Sequence, residues 1–160
     1  MNYIIRKATL SDLSAIEYLY KIARHYMQSH GNPDQWGDRY PDKNQIMKDI
    51  SEDCLYVIED DRQVEAVFYY RFGIEPTYLR IESGAWLDEE PYGYLHRVAS
   101  SGHLKRCSDI IINWAFNQCN NLRCDTHEKN KAMRNALKRN GFSYCGIIYV
   151  ETARLAFQKR

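Results

Sequence analysis

YLHRVAS (Tyr94–Ser100), SGHLK (Ser101–Lys105), RCSDIIINWAFNQC (Arg106–Cys119), LRCD (Leu122–Asp125) and NKAMRNALKR (Asn130–Arg139) follow one another, and Gly141-Phe142 leads into a last apolar run through Tyr149. The first segment is β-rich and apolar, and the second is a polar turn. In the third, Ile110, Ile111, Trp114 and Ala115 fall on one face at helical period, and Asn120-Asn121 closes the helix. Leu122–Asp125 is a short strand. Asn130 is a good N-cap for a second helix whose buried stripe is Met133 and Leu137, and Asn140-Gly141 is a left-handed stop. Strand, turn and helix in this order place unpaired backbone N–H groups and a positive dipole end at 103–108, where a phosphate would sit.

Working outward, Tyr3–Lys7 is a short strand. Thr9-Leu-Ser-Asp12 has the spacing of a capping box, with Asp in place of Glu. The helix after it repeats apolar residues at Leu13, Ile16, Leu19/Tyr20, Ala23 and Met27 and stops near His30-Gly31-Asn32-Pro33. Asp42–Ser51 is a short helix with Ile46 and Ile50 four apart. Cys54–Glu59 and Gln63–Arg71 form a hairpin around Asp60-Asp61. Thr77–Gly84 is predicted as a further strand, followed by the loop Trp86–Gly93. Phe142–Val150 and Ala153–Lys159 form a terminal hairpin. The order β-α-α-β-β-β-β-α-β-α-β-β predicts an α/β fold: a mixed central sheet with helices on both faces.

Composition narrows the classes. The 160 residues are expected to form one domain, long enough to bury about 70% of the unfolded surface. A hydrophobic share of 44% and a charged share of 27% are those of a globular chain. A formal charge of +1 points to neither a nucleic-acid surface nor an acidic tail. No signal-peptide pattern and no run of about 18 apolar residues is present, so neither secretion nor a membrane partner is expected. Five cysteines inside predicted elements fit reduced thiols and a cytoplasmic setting. Cys119, Cys124 and His127 lack a fourth ligand and zinc-knuckle spacing, so no metal is expected.

The strings His96-Arg97-Val98-Ala99 and Asp125-Thr126-His127-x-x-Asn130-x-x-Met133-x-x-x-Leu137-x-x-x-Gly141-Phe142, in this element order, resemble the GNAT superfamily of N-acetyltransferases. The resemblance covers nearly the whole chain, and the Gln35-Trp36…Tyr40-Pro41 loop is similar to that of small bacterial members. It implies a GNAT-like sheet in which the strand at 94–100 splays from its neighbour, and acetyl-CoA as co-substrate. The pantetheine arm would pair with the strand at Arg97, Val98 and Ala99, an N–H near Val98 would serve as oxyanion donor, and Asn130 and Met133 would flank the arm. The pyrophosphate would rest on His103, Lys105, Arg106, Cys107 and Ser108. The family usually has Gln/Arg-x-x-Gly-x-Gly/Ala at this turn. Here the matching positions are His103, Arg106 and Ser108, so Lys105 and Arg106 are expected to act as charged phosphate ligands. The family's tyrosine before Gly-Phe is matched by Lys138.

The resemblance implies acetyl transfer to a primary amine of a small molecule or peptide, by direct attack in a ternary complex. A second reading is a non-catalytic relative that binds another ligand or a protein. Homodimers are frequent in this fold. As general base, His96 has the right intrinsic chemistry, since an unperturbed imidazole titrates at about 6.5. Glu82, placed slightly ahead of His96, could act through a water, Glu151 is a third candidate, and Tyr94, Tyr144 and Tyr149 are candidate acids, with Tyr149 preferred. Trp36, Tyr40 and Trp86 are expected to line the acceptor side. The basic residues Lys129, Lys131, Arg134, Lys138 and Arg139 either gather phosphate or form a solvated helix face. The acidic loop Asp88–Glu90 reads as a solvated turn.

Overall fold

The computed structural model describes residues 2–160. Seven strands form one mixed sheet in the order β1-β2-β3-β4-β5-β7-β6, flanked by four α-helices. The strands are β1 Tyr3–Lys7, β2 Leu55–Asp60, β3 Gln63–Phe72, β4 Gly93–Ser100, β5 Leu122–Thr126, β6 Ser143–Val150 and β7 Thr152–Lys159. The helices are α1 Leu13–Ser29, α2 Lys43–Ser51, α3 Cys107–Cys119 and α4 Lys131–Arg139. No helix among the described residues is long and apolar enough to cross a membrane.

The chain falls into two compact units. One comprises the described residues up to Tyr70 with Arg97–Cys107, and the other Arg71–His96 with Ser108–Arg160. β4 passes from one to the other between His96 and Arg97.

In the first unit, β1 pairs antiparallel with β2 and β2 with β3, the latter with a register shift at Ile58/Glu59. The Thr9–Asp12 capping box forms as the spacing predicts, and Asp12 also takes a two-pronged bond from Arg6. Ile16, Leu19 and Tyr20 of α1 and Ile46 of α2 are buried, as are Leu55, Val57, Ile58, Val67 and Phe68. Each such aliphatic side chain contributes on the order of 1.5–3 kcal/mol by leaving water. Asp49, rather than Ile50, shares the fully buried face of α2 with Ile46.

In the second unit, β4 pairs parallel with β5 at Gly93↔Leu122 and Tyr94↔Arg123. β5 pairs antiparallel with β7, and β6 and β7 form the expected hairpin. α3 buries Ile111, Ile112 and Ala115 and leaves Trp114 half-buried. Asn130 caps α4 by accepting from the Met133 N–H at 3.1 Å.

Residues 77–84 do not form the expected strand. Pro76–Tyr78 is a single 3₁₀ turn, and Glu82 makes an isolated two-bond bridge with Ile147 (2.9 and 2.8 Å). Pro76 at the turn's start lacks an N–H for a ladder. Gly84 lies at φ +157°, and a Cβ there would stand 2.0 Å from the Cys145 carbonyl oxygen. Only a residue without a side chain lets this loop lie so close to β6. Gly84→Ala is therefore expected to cost about 3 kcal/mol of unfolding free energy, from strain plus overpacking. Urea denaturation measures it, and a loss below about 1 kcal/mol would contradict the close approach.

The loop after it is anchored rather than merely solvated. Buried Gln158 accepts from the Leu87 N–H (2.8 Å) and donates to Asn121 (2.7 Å), and Asn121 donates to Asp88 (3.2 Å) and to the Pro91 carbonyl (3.0 Å).

Candidate functional site

In the first unit, β4 continues past His96 with Arg97 in the left-handed region, φ 51°. A non-glycine residue seldom adopts that conformation, because Cβ crowds the following carbonyl. The buried Tyr20 hydroxyl donates to the Arg97 carbonyl at 2.8 Å. The guanidinium makes a two-pronged bond to Asp49 (2.7 and 2.9 Å), donates to the Tyr40 hydroxyl (2.9 Å) and lies 4.5 Å from the Tyr69 ring centre. The Asp49 side chain is 1% exposed. Burial pushes its carboxyl up, opposed by Arg97 and Gln45. All three guanidinium nitrogens of Arg97 thus bond inside the protein, so that only its main chain is left for the pairing expected with the coenzyme. Val98 is half-buried beside it and Ala99 is buried.

The turn after β4 carries exposed His103, Lys105 and Arg106, while Leu104 and Cys107 are buried beneath. Ser101 bonds to the Glu65 carboxylate through its hydroxyl, its N–H donates to the Glu65 carbonyl at 2.9 Å, and His103 Nδ1 is 3.5 Å from Glu65. Arg106 has φ 59°. The backbone of the turn therefore takes a glycine-like conformation at a position occupied by arginine. Burial, aided by Glu65, pushes the Cys107 thiol up to about 11, which excludes it as a thiolate nucleophile at neutral pH.

In the second unit, His96 stands between two carboxylates, Nε2 3.5 Å from Glu75 and Nδ1 3.7 Å from Asp125. Burial acts to raise the Glu75 carboxyl, but hydrogen bonding and charge from His96, together with Thr77, outweigh it and bring it down to about 2. Asp125 accepts from the buried Tyr78 hydroxyl at 2.7 Å and from Arg154 at 3.5 Å. Tyr78 and Tyr94 pack around the imidazole with ring centres 6.0 and 5.1 Å away. Neither Glu75 nor Tyr78 is marked by the sequence: Glu75 caps the 3₁₀ turn at Pro76–Tyr78, and Tyr78 lies in the stretch that fails to form a strand. Asp125 belongs to a conspicuous string, but its side chain's role shows only when β5 is placed.

Glu82 and Tyr149 also meet, the phenol donating to the carboxylate at 3.0 Å. Arg80 bonds the same carboxylate and, with Tyr149, holds Glu82 below the usual range, while Glu82 pushes the Tyr149 phenol up. Both shifts move these groups away from general base and general acid use near neutrality. Glu151, at φ 62°, is the exposed turn residue of the β6–β7 hairpin. Met133 is half-buried on α4, beside the cap that Asn130 makes. Of the basic run, Arg139 pairs with Asp109 at 2.7 Å and Arg134 donates to the Glu128 carbonyl at 2.8 Å.

The three aromatic residues expected at the acceptor divide differently. Trp36 is buried, edge-on to Tyr20 with ring centres 5.6 Å apart. Trp86 donates to the Tyr78 carbonyl at 2.9 Å, and the Arg123 guanidinium lies 4.2 Å over its ring. Both rings are engaged in packing. Tyr40 is 39% exposed, with its ring centre 6.4 Å from that of Trp36.

No protein-family model and no curated protein sequence matches the chain. Solved structures do. A GNAT-family acetyltransferase of Streptococcus agalactiae is 31% identical over 99% of this chain and 95% of its own, with a TM-score of 0.85. A GNAT-family acetyltransferase of Listeria monocytogenes shares the fold at 20% identity, over 98% of this chain and 94% of its own, with a TM-score of 0.73. So does yncA of Salmonella typhimurium, solved with its cofactor acetyl-CoA, at 14% identity over 100% of this chain and 94% of its own, with a TM-score of 0.65. With whole-length identity of 31% to the streptococcal enzyme and the same sheet and helix plan, this chain belongs to the GNAT family of acetyltransferases.

Proposed function

We propose that the protein transfers an acetyl group from acetyl-CoA to a primary amine, by direct attack in a ternary complex. The observation that carries this reading is the shape of β4: parallel pairing with β5 at Gly93 and Tyr94, then a left-handed residue at Arg97. A strand interrupted in this way re-aims the peptide that follows and exposes main-chain groups to an extended ligand. The acetyl-CoA complex of the similarly folded Salmonella protein supports the choice of co-substrate.

The turn at 101–106 fits a pyrophosphate. Gly102 at φ 87° has nothing within 4 Å of a would-be Cβ, and Arg106 at φ 59° precedes the helical N–H groups of α3. A left-handed residue followed by right-handed ones forms a concave nest of N–H donors for an anion. Lys105 and Arg106 add positive charge that glycines would not. When bound, acetyl-CoA supplies an activated thioester carbonyl. The chain's own task is to hold the amine, accept its proton and stabilise developing negative charge. His96 takes the proton, with Glu75 and Asp125 orienting the ring and stabilising the imidazolium. The Val98 N–H serves as the oxyanion donor.

Calorimetric titration with acetyl-CoA tests this. Micromolar binding is expected, weakened about tenfold by Arg106→Ala, which is the loss of one charge-assisted phosphate contact. No heat at millimolar coenzyme would overturn the reading.

A further inference from the structure

We infer that Asp49 and Arg97 form a positioning pair that sets the direction of the oxyanion donor. This rests on the acetyl-CoA reading above. Arg97 is an arginine at φ 51° within a strand, and such a residue persists only when its surroundings over-determine it.

Those surroundings are specific. From α2, Asp49 grips the guanidinium with both oxygens, at 2.7 and 2.9 Å, and is itself steadied by Gln45 at 2.9 Å. Tyr40, on the loop between α1 and α2, accepts from Nη1 at 2.9 Å. Tyr69 of β3 lies under the cation at 4.5 Å. From α1, Tyr20 donates to the main-chain carbonyl of the same residue at 2.8 Å. Side chain and carbonyl are thus held from α1, α2, β3 and a loop, and little rotation about Arg97 is left.

The carbonyl that Tyr20 holds belongs to the peptide whose N–H is that of Val98. Fixing the carbonyl fixes the N–H, because the peptide is planar and the two point in opposite directions. A hydrogen-bond donor for a developing oxyanion is useful only when already aimed, since reorganising it during reaction cancels its advantage. Asp49 and Tyr20 touch no reacting atom in this scheme and act through Arg97. The planar fork explains why arginine occupies the position: lysine presents a point charge and cannot fix the orientation of the pair.

The test uses acetyl-CoA carrying 13C at the thioester carbonyl, bound to the intact protein. Wild type should shift the carbonyl resonance downfield of its free value, because a hydrogen bond polarises it. Arg97→Lys and, independently, Tyr20→Phe should each return the resonance most of the way to the free position. The dissociation constant should change by less than about threefold, well under the tenfold that one lost strong contact costs. Tyr20→Phe preserves packing and serves if Arg97→Lys fails to fold. A purely structural role would lower stability and leave the bound resonance unmoved, which overturns the proposal. Weakened binding with an unmoved resonance would make Arg97 a coenzyme ligand instead, and also overturns it. Failure of wild type to bind acetyl-CoA would overturn the coenzyme reading itself, and the positioning role with it.

Discussion

Replacing Asp49 with alanine is expected to lower the unfolding free energy by about 3–5 kcal/mol, the cost of leaving a buried charge without its partner. The Asp49 side chain is 1% exposed and that of Arg97 13%, so neither is well solvated, and the two-pronged geometry makes each the other's main counter-charge. Coulomb attraction in such a site is large, but so is the penalty for desolvating both ions. The pair's net worth is therefore far smaller than the cost of breaking it. The double replacement Asp49→Leu with Arg97→Met should accordingly cost much less than Asp49→Ala alone. Guanidinium denaturation with both variants separates the cases. A single-variant loss near 1 kcal/mol would be that of a solvated surface pair and would contradict the burial. Acetyl transfer should fall in the double variant even where the fold survives, since only the Tyr20 bond to the carbonyl of residue 97 then holds the direction of the β4 peptide.

The second large effect concerns the base. His96→Gln should lower transfer to a primary amine by about 10²–10³-fold at neutral pH, in the range for removal of a general base, with acetyl-CoA affinity unchanged. Release of free coenzyme A thiol, followed across a panel of amines, measures it. The choice of His96 over Glu82 rests on environment. Glu82 is bonded by Arg80 and Tyr149, which stabilise the carboxylate and make it a weaker base. His96 instead faces Glu75 and Asp125, which stabilise the protonated ring that accepting a proton creates. Glu75, brought down to about 2, stays ionised throughout the range where an imidazole titrates, so its orienting charge does not vary with assay pH. Retention of more than about a third of the rate would move the base elsewhere.

Much of the fold was legible from local signals. Thr9 and Asp12, Asn130, Asn140-Gly141 and the apolar periods of α1, α3 and α4 act over three or four residues, and the structure forms each nearly where the pattern puts it. The miss at 77–84 came from a segment whose apolar and polar residues alternate weakly. Its course is decided by a distant close approach, Gly84 against Cys145, and by the Glu82–Ile147 bridge. The order of elements and the strings at 96–99 and 125–142 were also sufficient to indicate the family, because they combine backbone-shaping residues at set spacings.

What the side chains do at the site was decided by tertiary structure. The position of Arg97 in β4 speaks only for its main chain, and its guanidinium is taken by a partner 48 residues earlier. Trp36 and Trp86 read as loop aromatics, yet packing against Tyr20 and beneath Arg123 engages both. One trace of this was present in α2, where Asp49 lies three residues from Ile46 and so shares its buried face. An acid on an apolar stripe calls for a buried cation, but periodicity cannot say which one. Glu75, Tyr78 and Asp125 likewise converge on His96 from positions 18 to 29 residues away along the chain. Capping, period and turn chemistry are properties of neighbouring residues and are written locally. Which charge meets which is set by chain crossings, and those exist only once the sheet has assembled.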